Sequence, residues 1–315
     1  MSGRWGWRLL ALADVVRFGP FEILTRIGRG GMAEVSRAVF AEGPRKGRVV
    51  ALKRMLPEYV KNQQYVDLFC AETDLSRLLV HRNIVEVLDA GQVDGTYYMA
   101  MEFIDGRDLG AILARCRERQ IQLPVDFAVF LVHELLLALD AAHKATSKSG
   151  QRLHVVHCDV SPSNLFISKT GEIKLGDFGI AKVRSVDPSR RKGIWGKVHY
   201  ASPELVRSED VLPQADVWAA AVMLYELLTL CRPFNGETIE EIAREILAAK
   251  PPSVTDLRPE IPEAVESVLQ MALDPSIDQR FHDAGAFAMA LHPLFDDQIG
   301  TPLAIAAVVR GLFGA

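Results

Sequence analysis

Residues 157–164 read HCDVSPSN, and residues 177–179 read DFG. Between them lie two short apolar runs, which are joined by a turn that contains Gly171. This pattern predicts a β-hairpin that brings the two quoted segments together at its open end.

Three polar side chains are held by the predicted hairpin: Asp159, Asn164 and Asp177. Two carboxylates and an amide supply the oxygen ligands that Mg²⁺ prefers and a proton acceptor for a hydroxyl nucleophile. An ordinary solvated loop can also contain three such residues, so the rest of the chain has to decide between the two interpretations.

Length and composition place the chain among globular proteins with more than one lobe or domain. It has 315 residues, 49% of them hydrophobic and 24% charged, and a formal net charge of -4. This charge gives no reason to propose a nucleic-acid partner. The four cysteines are widely scattered without metal-ligand spacing, which predicts thiols in the reducing environment of the cytoplasm.

Neither end of the chain predicts a membrane span. Residues 302–313 are too short and contain Arg310, whereas a span needs about 20 apolar residues. Thr301 and Pro302 instead predict the start of a final short helix that ends near Phe313. We expect residues 1–17 to form a frayed or lightly docked leader.

The first glycine-rich segment lies at residues 28–35, between predicted strands at 21–27 and 36–40. A Rossmann motif would open a helix at this point, so a strand on each side argues against it. A glycine-rich hairpin tip instead allows backbone amides to approach phosphate groups closely.

A lysine and a glutamate follow on buried elements. Lys53 ends the apolar strand 49–53, and Glu72 lies on the apolar stripe of a predicted helix over 64–80. A buried lysine needs a partner, so we expect these two residues to pair. The alternative is that Glu72 merely lies at the edge of the stripe.

Taken together, these motifs resemble the eukaryotic-like serine/threonine protein kinases, particularly the bacterial branch, over about residues 18–294. The resemblance implies that Asp159 is the catalytic aspartate, that Asn164 and Asp177 hold Mg²⁺, and that Lys53 and Glu72 position ATP. It implies nucleotide contacts from Ile27, Gly28, Gly30, Gly31, Val35, Ala51, Lys53, Glu102, Ile104 and Asp108. It also implies that Asp216 steadies the catalytic loop and that Glu204 pairs with Arg280.

The implied fold is α+β and two-lobed, with a small antiparallel sheet and one main helix in the N-lobe and a larger, mostly helical C-lobe. The implied division is a kinase domain at 18–294, with N-lobe 18–101, hinge 102–105 and C-lobe 106–294, followed by a helical extension at 295–315. Asp126 is predicted to cap a long helix in the C-lobe.

The implied reaction is transfer of the γ-phosphoryl group of ATP to serine or threonine hydroxyls of a protein in bacterial signalling. The protein substrate is unknown, and the resemblance leaves open a homodimer that phosphorylates itself in trans. The alternative is a pseudokinase that binds ATP as a scaffold without turnover.

Three departures from the family pattern bear on that choice: Ala33 at the third glycine, Cys158 at the usual arginine and Ser161 at the usual lysine. Lys197 stands where the family has a threonine whose hydroxyl contacts both the catalytic aspartate and the missing lysine. We therefore expect Lys197 to lie beside Asp159 and to act in catalysis; the alternative is a solvated lysine with no role.

Overall fold

The computed structural model describes residues 16–178 and 195–314. Two compact units make up this part of the chain. The first contains residues 16–66 and 88–103, and the second contains residues 67–87 and 104–314, apart from the gap at 179–194. The chain passes from the first unit to the second between Phe103 and Ile104, inside the predicted hinge.

The first unit is built on a six-stranded sheet in the order β1-β2-β3-β4-β6-β5. Its strands are β1 (Val16–Phe18), β2 (Phe21–Arg29), β3 (Ala33–Phe40), β4 (Val49–Met55), β5 (Val87–Val93) and β6 (Thr96–Glu102). The four pairs from β1 through β4 to β6 are antiparallel. The predicted antiparallel sheet is therefore confirmed.

The two faces of this sheet differ because successive side chains on a strand point to opposite faces. Val50 and Leu52 on β4 are fully buried in a cluster with Phe21 and Tyr98. Lys53 directly follows Leu52 and therefore occupies the opposite face. The face with Val50 and Leu52 therefore forms the apolar cluster of the first unit, and the opposite face carries the Lys53 side chain.

The leader boundary at residue 17 is corrected by the structure. β1 pairs Val16 with Ile23 and Arg17 with Glu22, so these two residues belong to the sheet. Residues 1–15 of the predicted leader lie outside the described part of the chain.

The second unit is mainly helical. Its helices are α1 (Gln63–Ser76, which begins in the first unit), α2 (Leu109–Arg119), α3 (Val125–His143), α4 (Pro203–Arg207), α5 (Gln214–Thr229), α6 (Ile239–Ala248), α7 (Val254–Leu257), α8 (Glu263–Ala272), α9 (Ala284–Leu291) and α10 (Pro302–Phe313). The side chains of α5 from Ala215 to Leu228 are all buried, which confirms the predicted central helix. No helix among the described residues combines the length and apolar character needed to cross a membrane.

The segment 67–87 belongs to the second unit, although the sequence placed it in the N-lobe. Ile84 and Leu79 lie in the large helical core, and the Asn83 side chain donates to the Ile173 carbonyl at 3.0 Å and to Glu134 at 3.0 Å. These contacts span 51 to 90 residues of sequence, so no local pattern could have indicated them.

The two predicted helix N-caps, Thr301 and Asp126, can be compared with the structure. Thr301 accepts a hydrogen bond from the Ala304 amide at 3.3 Å and caps α10, as predicted. The prediction for Asp126 is wrong: Pro124 precedes α3, and Asp126 lies inside the first turn. There its negative charge still favours the helix N-terminus through the macrodipole.

A three-stranded sheet of β7 (Gly106–Asp108), β8 (Leu165–Ser168) and β9 (Ile173–Leu175) completes the second unit. β8 and β9 form the predicted hairpin, in which Leu165 pairs with Leu175. Gly171 in its turn has a φ of +89°, a conformation that glycine adopts without steric cost. The hairpin therefore sets Asn164 next to Gly176 at its open end.

Candidate active site

The segment 157–159 is held by the carboxylate of Asp216, at the start of α5. The backbone amides of His157 and Cys158 donate to its two oxygens at 2.7 and 2.9 Å, and the His143 ring donates to it at 2.8 Å. Cys158 has a φ of +60°, which is unfavourable for a residue with a side chain. The two amide bonds offset that cost, so Asp216 fixes the backbone immediately before Asp159.

Asp216 remains a carboxylate although its side chain is only 1% exposed. Burial alone would raise its pKa, but the bonds from His143 and the His157 amide outweigh burial and lower the pKa below its ordinary value. The negative charge is the form that accepts all three bonds. The predicted role of Asp216 as a support of this loop therefore has a direct structural basis.

His157 connects the two quoted segments through its ring. Its Nδ1 accepts from the Asp159 amide at 3.2 Å, so its Nε2 is assigned as the donor to the Gly176 carbonyl at 3.1 Å. Burial lowers the pKa of His157 more than the negative charges of Asp216 and Asp159 raise it. The lowered pKa favours the neutral ring, which can donate from one nitrogen and accept at the other. Sequence reasoning assigned His157 no role.

Asp159 and Asn164 are in direct contact. The Asn164 amide donates to the Asp159 carbonyl at 2.8 Å and to its Oδ2 at 3.1 Å. The backbone amide of Gly176 donates to the backbone carbonyl of Asn164 at 2.9 Å. This bond places the start of the second quoted segment, at Asp177, beside Asn164. Asp177 follows with a φ of +53°, a left-handed conformation that aspartate tolerates better than most residues.

Lys197 lies beside Asp159. Its Nζ is 3.0 Å from the Asp159 Oδ2, and the two side chains are 30% and 12% exposed. Lys197 is part of the turn-like helix Trp195–Tyr200, whose backbone departs from helical geometry at this residue. A pocket next to this ion pair is lined by Cys158, Val160, Tyr200 and Ser202, among others. The expected neighbourhood is present; the catalytic role of Lys197 stays a prediction.

In the first unit, three of the predicted nucleotide residues, Val35, Ala51 and Lys53, share one face of the sheet. Lys53 lies between Val35 on β3 and Met99 on β6, and Ala51 lies opposite Met101. Residues directly opposite each other in adjacent strands point to the same face, so this face carries Val35, Ala51 and Lys53 together.

The glycine-rich tip has room around it. A Cβ added to Gly28 or Gly31 would meet no atom within 4 Å, and one added to Gly30 would meet only the Ala33 carbonyl at 3.6 Å. Packing within the described chain therefore does not explain glycine at these positions. Glycine does explain how a ligand could approach the backbone closely. Ile27, just before the tip, leaves 51% of its surface exposed.

The remaining predicted nucleotide and pairing residues are described within their own units. Glu102 ends β6 opposite Val50, and Ile104 lies in the segment between β6 and β7. Glu72 is buried on α1 in the second unit, and its pairing with Lys53 stays a prediction.

Asp108 has a structural task that the sequence analysis missed. Its Oδ1 accepts a hydrogen bond from the Ala111 amide at 2.9 Å, so it caps α2. Aspartate is among the residues preferred at this position. Its predicted nucleotide contact therefore has to coexist with the helix cap.

Two further ion-pair networks surround the site. Arg280 makes a bidentate pair with the buried Glu204, at 2.9 and 2.8 Å, as the resemblance implied. Burial alone would raise the pKa of Glu204, but Arg280 holds it below its ordinary value. The second network was not predicted: Glu226 on α5 accepts from the hydroxyl of Tyr200 and, at 2.5 Å, from Arg117.

The first unit is a six-stranded sheet with a glycine-rich tip and with Lys53 on the face opposite its apolar cluster. The second unit is mainly helical, and its hairpin presents Asp159, Asn164 and Asp177. This combination defines the class of protein kinases. The family described as "Protein kinase domain" matches residues 21–295. This chain belongs to that family.

Named relatives and solved structures agree with this assignment. The chain is 34% identical to the tyrosine-protein kinase MasK of Myxococcus xanthus over 94% of its own length and 46% of that protein. It is 31% identical to the serine/threonine-protein kinase PrkC of Bacillus subtilis, over 88% of this chain and 41% of that protein. The PknI kinase domain of Mycobacterium tuberculosis matches with a TM-score of 0.65 and 28% identity, over 90% of this chain and 99% of that one. The chain thus spans less than half the length of the curated relatives described here.

Proposed function

We propose that this domain transfers the γ-phosphoryl group of ATP to a serine or threonine hydroxyl of a protein substrate, with Mg²⁺ as cofactor. The observation that carries the proposal is the contact of Asn164 with Asp159 at the open end of the hairpin that also presents Asp177. Family membership supports the same activity.

The donor set fits a magnesium ion. The amide nitrogen of Asn164 is bonded to Asp159, which turns its carbonyl oxygen Oδ1 away from that residue. An amide oxygen from Asn164 and a carboxylate from Asp177 are hard oxygen ligands, which suit Mg²⁺. Bound Mg²⁺ would neutralise negative charge on the phosphates.

The fit to ATP rests on the first unit. The open backbone at Gly28, Gly30 and Gly31 suits phosphate oxygens, and Lys53 supplies a cation on the same sheet as Val35 and Ala51. We assign Glu102 and Ile104 to the adenine by resemblance. The apolar side chains of Ile27, Val35 and Ala51 would contact the base.

Asp159 acts on the acceptor. It orients the hydroxyl group and takes its proton as the oxygen bonds to the γ-phosphorus. The bond between that phosphorus and the bridging oxygen breaks, and its electron pair leaves on ADP. The backbone around Asp159 is fixed by Asp216, so the carboxylate keeps its direction while the substrate binds.

The experiment is phosphate transfer from labelled ATP to serine, threonine and tyrosine peptides with and without Mg²⁺. We expect transfer that requires Mg²⁺ and is abolished by Asp177→Ala, because this variant lacks a metal ligand. Asp126→Asn is the matched control, since it alters an exposed aspartate in the first turn of α3.

The peptides also separate the acceptor classes. Transfer to tyrosine alone would contradict the serine/threonine assignment and would agree with the name of the MasK relative. Binding of ATP without transfer to any hydroxyl, including those of the protein itself, would establish the pseudokinase alternative.

We further propose that the domain works in the cytoplasm and phosphorylates a second copy of itself in trans. All four cysteines lie among the described residues and none forms a disulfide, which suits a reducing compartment. Mixing the inactive Asp159→Asn protein with the unmodified protein tests the second part. Labelling of the inactive copy is the expected result, and labelling of the active copy alone would contradict it.

A further inference from the structure

The catalytic segment carries no cation of its own. Residues 157–164 contain neither lysine nor arginine. Ser161, two residues after Asp159, is 1% exposed, and its hydroxyl lies 3.4 Å from the Asp159 carbonyl and 3.2 Å from the Ser163 hydroxyl. This short side chain stabilises the turn and cannot deliver positive charge to a phosphoryl group.

A lysine from a different part of the chain contacts Asp159. Lys197, 38 residues later, places its ammonium 3.0 Å from the Asp159 Oδ2. Asn164 donates to the same oxygen at 3.1 Å, so both donors meet one edge of the carboxylate. The ammonium has three N–H donors and uses one of them in this bond.

The position of this ammonium matters for the reaction proposed above. The acceptor hydroxyl has to reach the Asp159 carboxylate, and the transferring phosphoryl group has to reach that hydroxyl. A cation within hydrogen-bond distance of Asp159 is therefore close to the phosphoryl oxygens, where negative charge has to be stabilised. The Lys197 side chain is 30% exposed and flexible, so it can turn toward a phosphate without first being drawn out of a core.

We infer that Lys197 is a catalytic residue that binds the transferring phosphoryl group and supplies the positive charge that Ser161 does not. This inference rests on the proposed kinase function. It makes the segment Trp195–Tyr200 part of the phosphate site, so docking of this segment and binding of the γ-phosphate favour each other.

The test replaces the ammonium and keeps the length of the side chain. In Lys197→Met we expect turnover to fall about 10²-fold, the usual scale for one transition-state contact. Affinity for the non-hydrolysable analogue AMP-PNP should fall about tenfold, which corresponds to about 1.4 kcal/mol. Affinity for ADP should stay within about twofold of the unmodified protein, because ADP has no γ-phosphate.

Lys144→Met is the matched control, because Lys144 pairs with Asp140 at 2.7 Å on the surface of α3. It should leave turnover and both affinities unchanged. Lys197→Arg should retain part of the turnover, and the double variant Ser161→Lys, Lys197→Thr should recover part of it. The arginine variant is decisive if the buried position 161 does not accept lysine.

Two results would overturn the inference. One is a folded Lys197→Met protein with turnover close to that of the unmodified protein. The other is an equal loss of affinity for ADP and AMP-PNP, which would assign Lys197 a purely structural role. If the unmodified protein transfers no phosphate but Lys197→Met selectively weakens AMP-PNP, the kinase proposal fails and the phosphate contact of Lys197 stands.

Discussion

Asp159 and Asp216 are the same residue type in the same unit, but different kinds of donor contact their carboxylates. Asp216 accepts hydrogen bonds from the backbone amides of His157 and Cys158 and from the ring of His143. Asp159 accepts from the side chains of Asn164 and Lys197, which reach it from two separate segments. Backbone donors cannot turn away, whereas side-chain donors can change partner.

This difference separates the structural role of Asp216 from the catalytic role that we propose for Asp159. A carboxylate bonded to backbone is a fixed part of the fold, and removing it leaves buried donors without an acceptor. A carboxylate bonded to side chains beside a pocket can release one of them when a substrate hydroxyl arrives. The hydrogen bonds to Asp216 thus offset the conformational cost of the left-handed backbone at Cys158. The fixed backbone in turn sets the direction of the Asp159 side chain.

The first prediction tests this comparison by removing each carboxylate in turn, and it has the largest expected effects. Asp159→Ala should lower turnover by about 10³-fold or more, and the free energy of unfolding should change by less than about 1 kcal/mol. Asp216→Ala should lower the free energy of unfolding by about 3 kcal/mol, because the amides of His157 and Cys158 and the ring of His143 lose their acceptor. Urea unfolding and turnover assays measure both quantities.

Asp126→Ala serves as the control for stability, since its side chain is exposed in the first turn of α3. It should cost only a few tenths of a kcal/mol. Equal losses of stability from Asp159→Ala and Asp216→Ala would remove the distinction between the two carboxylates.

A smaller effect should appear in acid. The pKa of Asp216 is lower in the folded protein than in the unfolded chain, so the unfolded chain binds the proton first as the pH falls. Its contribution to stability is therefore fully present above about pH 4, the ordinary range of aspartate, and is lost as the pH falls through the folded pKa. The difference in free energy of unfolding between the unmodified protein and Asp216→Asn should narrow below about pH 4. A difference that stays constant down to pH 2 would contradict this account.

The smallest expected effect concerns phosphorylation. Ser185 and Ser189 are candidate phosphorylation sites in residues 179–194, outside the described part of the chain. Cys158 stands where the family pattern has an arginine, and the backbone at Cys158 is already held by Asp216. We therefore expect the double variant Ser185→Ala, Ser189→Ala to keep turnover within about twofold of the unmodified protein. Loss of most of the activity in a kinase assay would show that a phosphate in this segment is needed.

The sequence was sufficient where a feature depends on neighbours in the chain. The hairpin β8–β9 was readable from two apolar runs around a glycine, and Thr301 from a cap residue followed by proline. The prediction that Asp126 caps α3 was wrong because an acidic residue is favourable both at the cap position and in the first turn of a helix.

The sequence was insufficient where a contact joins distant segments. His143 reaches Asp216 across 73 residues, and Arg117 reaches Glu226 across 109. No spacing rule encodes such pairs, and His143 looks like an ordinary residue at the end of a helix. Lys197 and Asp159 could be expected as neighbours only through the resemblance, because 38 residues separate them.

The position of Lys53 on β4 has a consequence for how this domain can vary in length during evolution. Lys53 lies opposite Val35 and Met99, on the face away from the buried Val50 and Leu52. An insertion or deletion in the turn between β3 and β4 can be absorbed by the turn. A single-residue insertion within β4 before Lys53 would turn its ammonium into the apolar cluster, because side chains alternate with a period of two. We therefore expect related sequences to differ in length at residues 41–48 and to tolerate only paired insertions, if any, at residues 49–53.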